Sequence, residues 1–189
     1  MTKYRAPNLA ISEVYLNGQK RPSLERTSKS AGLSPTSPVV QCVLSRARSF
    51  LGTLFSETDD FGTPQLVHYQ TGQKFDIHHD WYDSPQPVRG ARGRYFNRIA
   101  SFFVFLEDKC EGGETWFPYI EGRGVEEVGE GKWREHEDGG VAFRPRSGNA
   151  LFWVNLHANG TGDERVMHAG LPLKSGVKTA MNIWPRKIY

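Results

Sequence analysis

Cysteine is scarce in this chain: Cys42 and Cys110 are the only two in 189 residues. Two thiols build neither a disulfide framework nor a cysteine-ligated zinc cluster. They could pair in an oxidising compartment, whereas free thiols fit a reducing one. Long apolar runs are missing too. None approaches the ~18 residues that a membrane-crossing helix needs, so no membrane span is expected. The opening Met1-Thr2-Lys3-Tyr4-Arg5-Ala6-Pro7 lacks the apolar stretch of a signal peptide. Taken as it stands the chain reads as cytoplasmic; a truncated N-terminus would leave the endoplasmic reticulum open.

A strong charge of one sign is also absent, since the net charge is only +3. The distribution is uneven, however. Residues 1–48 hold eight Lys/Arg and two Asp/Glu, and the remainder holds sixteen and nineteen. The basic charges are scattered and form no aromatic-interleaved patch, so they read as a solvated surface with no nucleic-acid partner.

What is present suits one domain. Residues 1–37 are polar and form an N-terminal arm, or a truncated front of the domain. Within it Ile11 to Leu16 could make one short strand, and Ser23 to Pro38 reads as a loop. Residues 38–189 form the main domain. Ser37-Pro38 looks like a helix cap followed by proline in the first turn, and Gly52 like a stop. Between them Val40, Val43, Leu44, Ala47, Phe50 and Leu51 recur at helical spacing and predict a helix packed across the back of a sheet.

From Gln65 onward the period shortens. Eight strand-like runs follow: Leu66–Tyr69, Phe75–Asp80, Arg98–Leu106, Thr115–Phe117, Val141–Phe143, Ala150–Val154, Val166–Ala169 and Val177–Trp184. One helix followed by many short strands predicts a mainly β fold, a cupin-like double-stranded β-helix or jelly roll, with one or two packing helices. Two intervening stretches look flexible. Ser84 to Arg94, rich in Pro and Arg, is a candidate substrate lid. Glu121 to Gly140 carries seven acidic and three basic residues and reads as an exposed hairpin.

The chemistry is carried by His78, Asp80, His168 and Lys178. Residues two apart on a strand project to the same face, so His78 and Asp80 can reach one ion while His79 points away. His78-x-Asp80 by itself is weak evidence and is often structural. His168 completes two imidazoles and a carboxylate, which occupy one face of an iron(II) ion and leave the other open. The same donors accept catalytic zinc, although no helix-borne glutamate base accompanies them. His157 competes for the third position from a loop-like stretch, and His68 and His136 have no partner at metal-ligand spacing. Lys178 sits between Val177 and Thr179 on an apolar strand, and a buried ammonium there calls for an anion such as a dicarboxylate. Tyr69 and Thr115 could add hydroxyls to the same pocket; a core role serves either equally well.

The residues also fall into ordered blocks. These are Tyr69-x-x-Gly72-Gln73-x-Phe75-x-x-His78-x-Asp80, then Arg98-x-x-Ser101-x-x-x-Phe105-Leu106, then Gly112-Gly113-Glu114-Thr115-x-Phe117. Pro145-x-x-Gly148-x-Ala150-x-x-Trp153-x-Asn155 follows, and last His168-Ala169-Gly170-x-Pro172-x-x-x-Gly176-x-Lys178-x-x-x-x-x-Trp184. Over roughly residues 38–186 the chain resembles the prolyl 4-hydroxylase-like branch of the iron(II)/2-oxoglutarate dioxygenases. The block from Gly148 to His157 is similar to fungal members. The resemblance implies that His78, Asp80 and His168 hold Fe(II), and that Lys178 binds the distal carboxylate of 2-oxoglutarate. It places Tyr69 and Thr115 near that co-substrate, Trp184 on the pocket wall and Arg98 beside the substrate groove. The implied reaction consumes O2, turns 2-oxoglutarate into succinate and CO2, and hydroxylates a proline in a peptide or protein, with L-ascorbate keeping the iron reduced. A small-molecule substrate and a non-catalytic metal-binding or interaction domain of the same fold are the alternatives. Ser101 and Phe105 stand where that family more commonly has Thr and Tyr, and Trp116 and the acidic segment are unusual.

Overall fold

The computed structural model describes residues 8–16, 19–122 and 131–189. Two antiparallel sheets face each other. The larger runs in the order Ala10–Ile11, Lys29–Gly32, Gln65–Gln70, Leu173–Ile183, Ala100–Glu107, Ala150–Val154, with Cys110–Gly112 also paired to Leu173–Ile183. The smaller runs Trp133–Glu135, Val141–Phe143, Thr115–Phe117, His168–Gly170, Phe75–His78. This is the expected mainly β jelly roll.

Its two central strands are buried on both faces, which is why they read as near-continuous apolar runs. Along Ala100–Glu107, Phe103 and Phe105 join the core between the sheets, and Phe102 turns to the back. Along Leu173–Ile183, Leu173 and Ala180 face inward while Met181 and Ile183 face back. The period of two puts Lys178 on the same side as Ala180. One core cluster therefore fills the space between the sheets, with Val67, Phe117, Val141 and Trp153. The other lies behind the large sheet, with Ala47, Leu51, Phe55 and Phe61.

The helix spans Pro38–Leu51, as its spacing predicts, with Ser37 at its start. It stops at Gly52, whose φ of 53° lies in the left-handed region that suits glycine; its N–H closes on the Arg48 carbonyl. Val40, Ala47 and Leu51 are buried, and Ala47 and Leu51 pack into the cluster behind the sheet. Phe50, expected in the same stripe, is 65% exposed and touches Phe102 and Phe152 only edge-on. It lies at the margin of the apolar face, one residue before the end of the helix.

Several strand boundaries differ from those the sequence suggests. Ser23 to Pro38 is not all loop: Lys29–Gly32 pairs along Gln65–Gln70 and carries Ala10–Ile11 on its outer edge. Glu13–Leu16 forms a separate two-stranded ribbon with Gln19–Pro22. The Arg98–Leu106 run divides at Ile99 into Tyr95–Arg98 and Ala100–Glu107. Val166 closes a 3-10 turn, and its strand starts at His168. Ser84 to Arg94 is partly ordered by Gln86–Pro87, which pairs with Tyr95–Arg98. Trp133–Glu135 and Val141–Phe143 form the hairpin expected within Glu121 to Gly140; residues 123–130 of that segment lie outside the described residues. Both cysteines are free thiols. Among the described residues no helix is long and apolar enough to cross a membrane.

Candidate metal and co-substrate site

His78 ends its strand in the small sheet and is the register partner of His168 on the neighbouring strand. The two rings lie 4.3 Å apart between centroids. Asp80 follows just beyond the strand end and is 6% exposed. The ligand atoms of His78, Asp80 and His168 all lie within 4.8 Å of one another.

The protonation of these rings is fixed by the backbone. His78 Nδ1 lies 2.7 Å from the Asp76 carbonyl and His168 Nδ1 lies 3.0 Å from the Val166 carbonyl. A carbonyl only accepts, so each Nδ1 carries the proton it donates, and Nε2 is the ring atom left for a metal. Both Nε2 atoms face Asp80: His78 Nε2 is 4.0 Å from Oδ1 and His168 Nε2 is 3.9 Å from Oδ2. Burial and the neighbouring His168 push the His78 imidazolium down, so the neutral ring is favoured. Burial would raise the Asp80 carboxyl, but His168, His78, Arg98 and the Ser101 hydroxyl together hold it well below the usual carboxylate range. All three side chains offer ligand atoms close enough together for one ion to reach them, and two imidazoles with one carboxylate suit a divalent transition metal.

The other predicted residues surround this cluster. A groove of about 1200 Å³ is lined by His78, Asp80 and His168 together with Tyr69, Thr115, Arg98 and Trp184. Arg98 donates to the Asp80 backbone carbonyl at 3.2 Å and lies 3.8 Å over the Trp184 ring and 4.9 Å over Tyr82. Lys178 does not line the groove. It is fully buried, a register partner of Tyr69, with its ammonium 4.5 Å from the Tyr69 ring. Its ammonium donates to the Gly113 carbonyl at 2.6 Å. Burial pushes Lys178 down to about 8, with Cys110 and Glu114 opposing. Burial likewise raises the Tyr69 phenol. Thr115 is 3% exposed and its hydroxyl finds no partner among the described residues. An ammonium with donors to spare and an orphaned hydroxyl fit a carboxylate. Gly113, at φ 72°, keeps that space clear: a Cβ there would lie 3.6 Å from Lys178 Nζ and 2.5 Å from Leu173.

His79 lines the groove but turns its Nδ1 to the Trp81 carbonyl at 2.9 Å, while His157, His68 and His136 lie outside the cluster. His157 is half-exposed and sits 3.8 Å from Asp163. His68 Nδ1 pairs with the Thr179 hydroxyl at 2.9 Å. His136 differs from expectation, because Glu137 and Asp138 offer ligand atoms near it; those two carboxylates are exposed, and the Asp138 N–H donates to His136 Nδ1.

Sequence reasoning missed Arg26, which also lines the groove. It is 7% exposed, lies 4.7 Å over Phe75, and donates to the Glu13 carbonyl and the Gln65 side chain. Its Nε has no partner among the described residues. No periodic pattern marks Arg26; its burial depends on the pairing of the arm with Gln65–Gln70.

Comparison with known proteins follows the same residues. The family model described as the 2OG-Fe(II) oxygenase superfamily matches residues 64–186. The chain belongs to that superfamily. It is 33% identical over 138 residues to prolyl 4-hydroxylase 13 of Arabidopsis thaliana, covering 72% of this chain and 46% of that protein. It is 32% identical over 160 residues to the human prolyl 4-hydroxylase subunit alpha-1, covering 84% of this chain and 26% of that protein. The chain thus spans less than half the length of either relative. A viral collagen prolyl hydroxylase from Paramecium bursaria Chlorella virus-1, solved with 2OG, shares the fold at a TM-score of 0.64 and 24% identity, over 85% of this chain and 79% of that one. For a member of the 2OG-Fe(II) oxygenase superfamily, the metal that suits the two imidazoles and one carboxylate is Fe(II) rather than zinc.

Proposed function

We propose that this chain is a 2-oxoglutarate-dependent dioxygenase that hydroxylates proline in a peptide or protein. The observation that carries the reading is the pair of imidazoles, each anchored through Nδ1 to a backbone carbonyl, that meets the buried Asp80 carboxylate at an open groove. His78, Asp80 and His168 would hold Fe(II). Bound iron with 2-oxoglutarate and O2 supplies the oxidising power, and 2-oxoglutarate leaves as succinate and CO2.

The protein's part is orientation and exclusion of water. Asp76 and Val166 hold the two imidazoles by their Nδ1 protons. Lys178 and Thr115 would take the far carboxylate of 2-oxoglutarate, the ammonium turning from Gly113 to reach it. Arg98, stacked between Trp184 and Tyr82, would line the bed for the substrate. Besides the triad, the groove is lined by Ile11 and Arg26 from the arm and by Tyr82 and Gln86. Its volume of about 1200 Å³ suits a peptide better than a small metabolite. The curated relatives named prolyl 4-hydroxylases support the same substrate class. L-Ascorbate would serve as the accessory reductant.

The test is succinate formation from 2-oxoglutarate by Fe(II)-loaded protein, with and without a panel of proline-rich peptides. Succinate that rises with one peptide, requires His168 and weakens in Lys178→Ala is the expected result. Omitting ascorbate should shorten the progress curve. Folded, iron-bound protein that yields no succinate under any of these conditions would leave a non-catalytic metal-binding domain as the better reading.

A further inference from the structure

Asp80 has two oxygens, and the protein treats them differently. Ser101 Oγ donates to Oδ2 at 2.6 Å, and Asn155 Nδ2 donates to Ser101 Oγ at 3.0 Å. Ser101 and Asn155 are fully buried. Two adjacent strands supply them. Ser101 lies on Ala100–Glu107, and Asn155 follows Ala150–Val154, with its N–H on the Ile99 carbonyl at 2.8 Å. The direction of the chain is settled by donor count. An ionised carboxylate only accepts, a serine hydroxyl has one proton, and the Asn155 amide fills the hydroxyl's acceptor side. Ser101 therefore spends its only proton on Oδ2.

We propose that Asn155 and Ser101 are positioning residues that make Asp80 a one-oxygen ligand through Oδ1. The inference rests on the iron reading above. A six-coordinate ion held by three single-atom ligands keeps three positions open. A chelating 2-oxo acid takes two of them, and one is left for a diatomic ligand. If Asp80 bound through both oxygens, the co-substrate would fill the site and the diatomic ligand would have no place. The hydroxyl on Oδ2 weakens that oxygen as a second ligand and holds the carboxylate plane in place. A partner of the metal ligands thereby sets how many positions stay open.

The experiment reads nitric oxide binding, a stand-in for O2, to anaerobic Fe(II)-loaded protein saturated with 2-oxoglutarate, by electron paramagnetic resonance of the nitrosyl. Wild type is compared with Ser101→Ala, Ser101→Thr and Asn155→Ala, each checked for its melting temperature. Ser101→Ala should weaken nitric oxide binding by about tenfold or more, within the roughly 10–100-fold typical of a lost supporting group. Ser101→Thr restores the hydroxyl and should match wild type. Asn155→Ala frees the hydroxyl to rotate and should fall between. If Ser101→Ala does not fold, the contrast between Ser101→Thr and Asn155→Ala decides in its place. Variants that fold and bind nitric oxide as wild type does overturn the inference and leave the function intact. A wild type that binds neither Fe(II) nor 2-oxoglutarate overturns the function reading itself.

Discussion

His78 and His168 are register partners on adjacent antiparallel strands, although most of the domain separates them in sequence. Each ring is tethered by its Nδ1 proton to a backbone carbonyl, so the pair is set by the sheet before any metal arrives. Replacing either ring should therefore remove a ligand without collapsing the site around it. His168→Ala is expected to lower Fe(II) affinity by at least the roughly 10–100-fold that even a supporting group costs. Succinate formation should be lost with it. Isothermal titration with Fe(II) under anaerobic conditions checks the first effect, and retained affinity would move the third ligand elsewhere.

Lys178 leads to a prediction about pH. Burial has pushed it from 10.5 down to about 8. Only the ammonium attracts a carboxylate, so 2-oxoglutarate affinity should be level below about 8 and fall as the pH rises through it. Lys178→Arg stays charged throughout and should abolish that dependence. Stability moves the other way. The unfolded lysine binds its proton more tightly than the folded one, so the unliganded fold gains stability as pH rises from about 8 toward 10.5. Binding curves for 2-oxoglutarate across this range test the first claim, and urea unfolding tests the second.

Gly162 makes room for Trp81, the residue after Asp80. A Cβ on Gly162 would lie 2.1 Å from Trp81 Nε1, and Trp81 is 8% exposed, with little room to yield. Gly162→Ala should cost about 1–3 kcal/mol, the usual range for overpacking. Because Trp81 adjoins Asp80, Fe(II) affinity should fall as well. A melting curve and a metal titration on the same sample separate this from a purely local repacking, which would lower stability alone.

The parts of this site that were legible in sequence share a cause. His78-x-Asp80 stood out by its spacing, although the strand ends at His78 and Asp80 reaches the cluster from the bend just beyond it, and the helix follows from spacing that local turns enforce. Lys178 stood out because an ammonium on an apolar strand conflicts with its neighbours. The arm was not legible for the opposite reason. Lys29–Gly32 has no apolar alternation, and its strand exists because Gln65–Gln70 offers a free edge. Ser12 and Ser28 are buried there by bonding to each other at 2.9 Å, a pairing that no local pattern announces. Asn155 stood in the sequence only as the end of a matched block, because its contact with Ser101, far away in the chain, is made by the fold.

Arg26 tests whether that arm belongs to the working site. It ties the arm to Gln65 and the Glu13 carbonyl, and its guanidinium covers Phe75, the ring stacked 3.6 Å from His78. Arg26→Met keeps most of the volume and removes the donors. It should cost about 1–3 kcal/mol, as expected when buried acceptors lose a charged partner. Peptide KM should rise while Fe(II) affinity holds. An unchanged KM would restrict Arg26 to a structural role.

The hairpin of Gln86–Pro87 and Tyr95–Arg98 is the last element to test. Its base is rigid: Asn97 accepts from the Tyr82 N–H at 2.9 Å and donates to the Tyr82 carbonyl at 2.8 Å. Its tip is exposed and carries Arg89, Arg92 and Arg94 around Gly90 and Gly93, both at positive φ. Ser84, Gln86 and Phe96 from its base line the groove. A hydrogen-bonded base with an exposed, cationic tip beside the groove is an arrangement suited to a segment that closes on substrate. Replacing Arg89 to Gly93 by an Asn-Gly turn should therefore raise peptide KM and leave peptide-free turnover of 2-oxoglutarate unchanged. If the tip contributes through charge, replacing the three arginines by glutamine should reproduce the effect, and added salt should reduce wild type to the same KM. A shortened hairpin with normal KM would show that substrate is held by the groove walls alone.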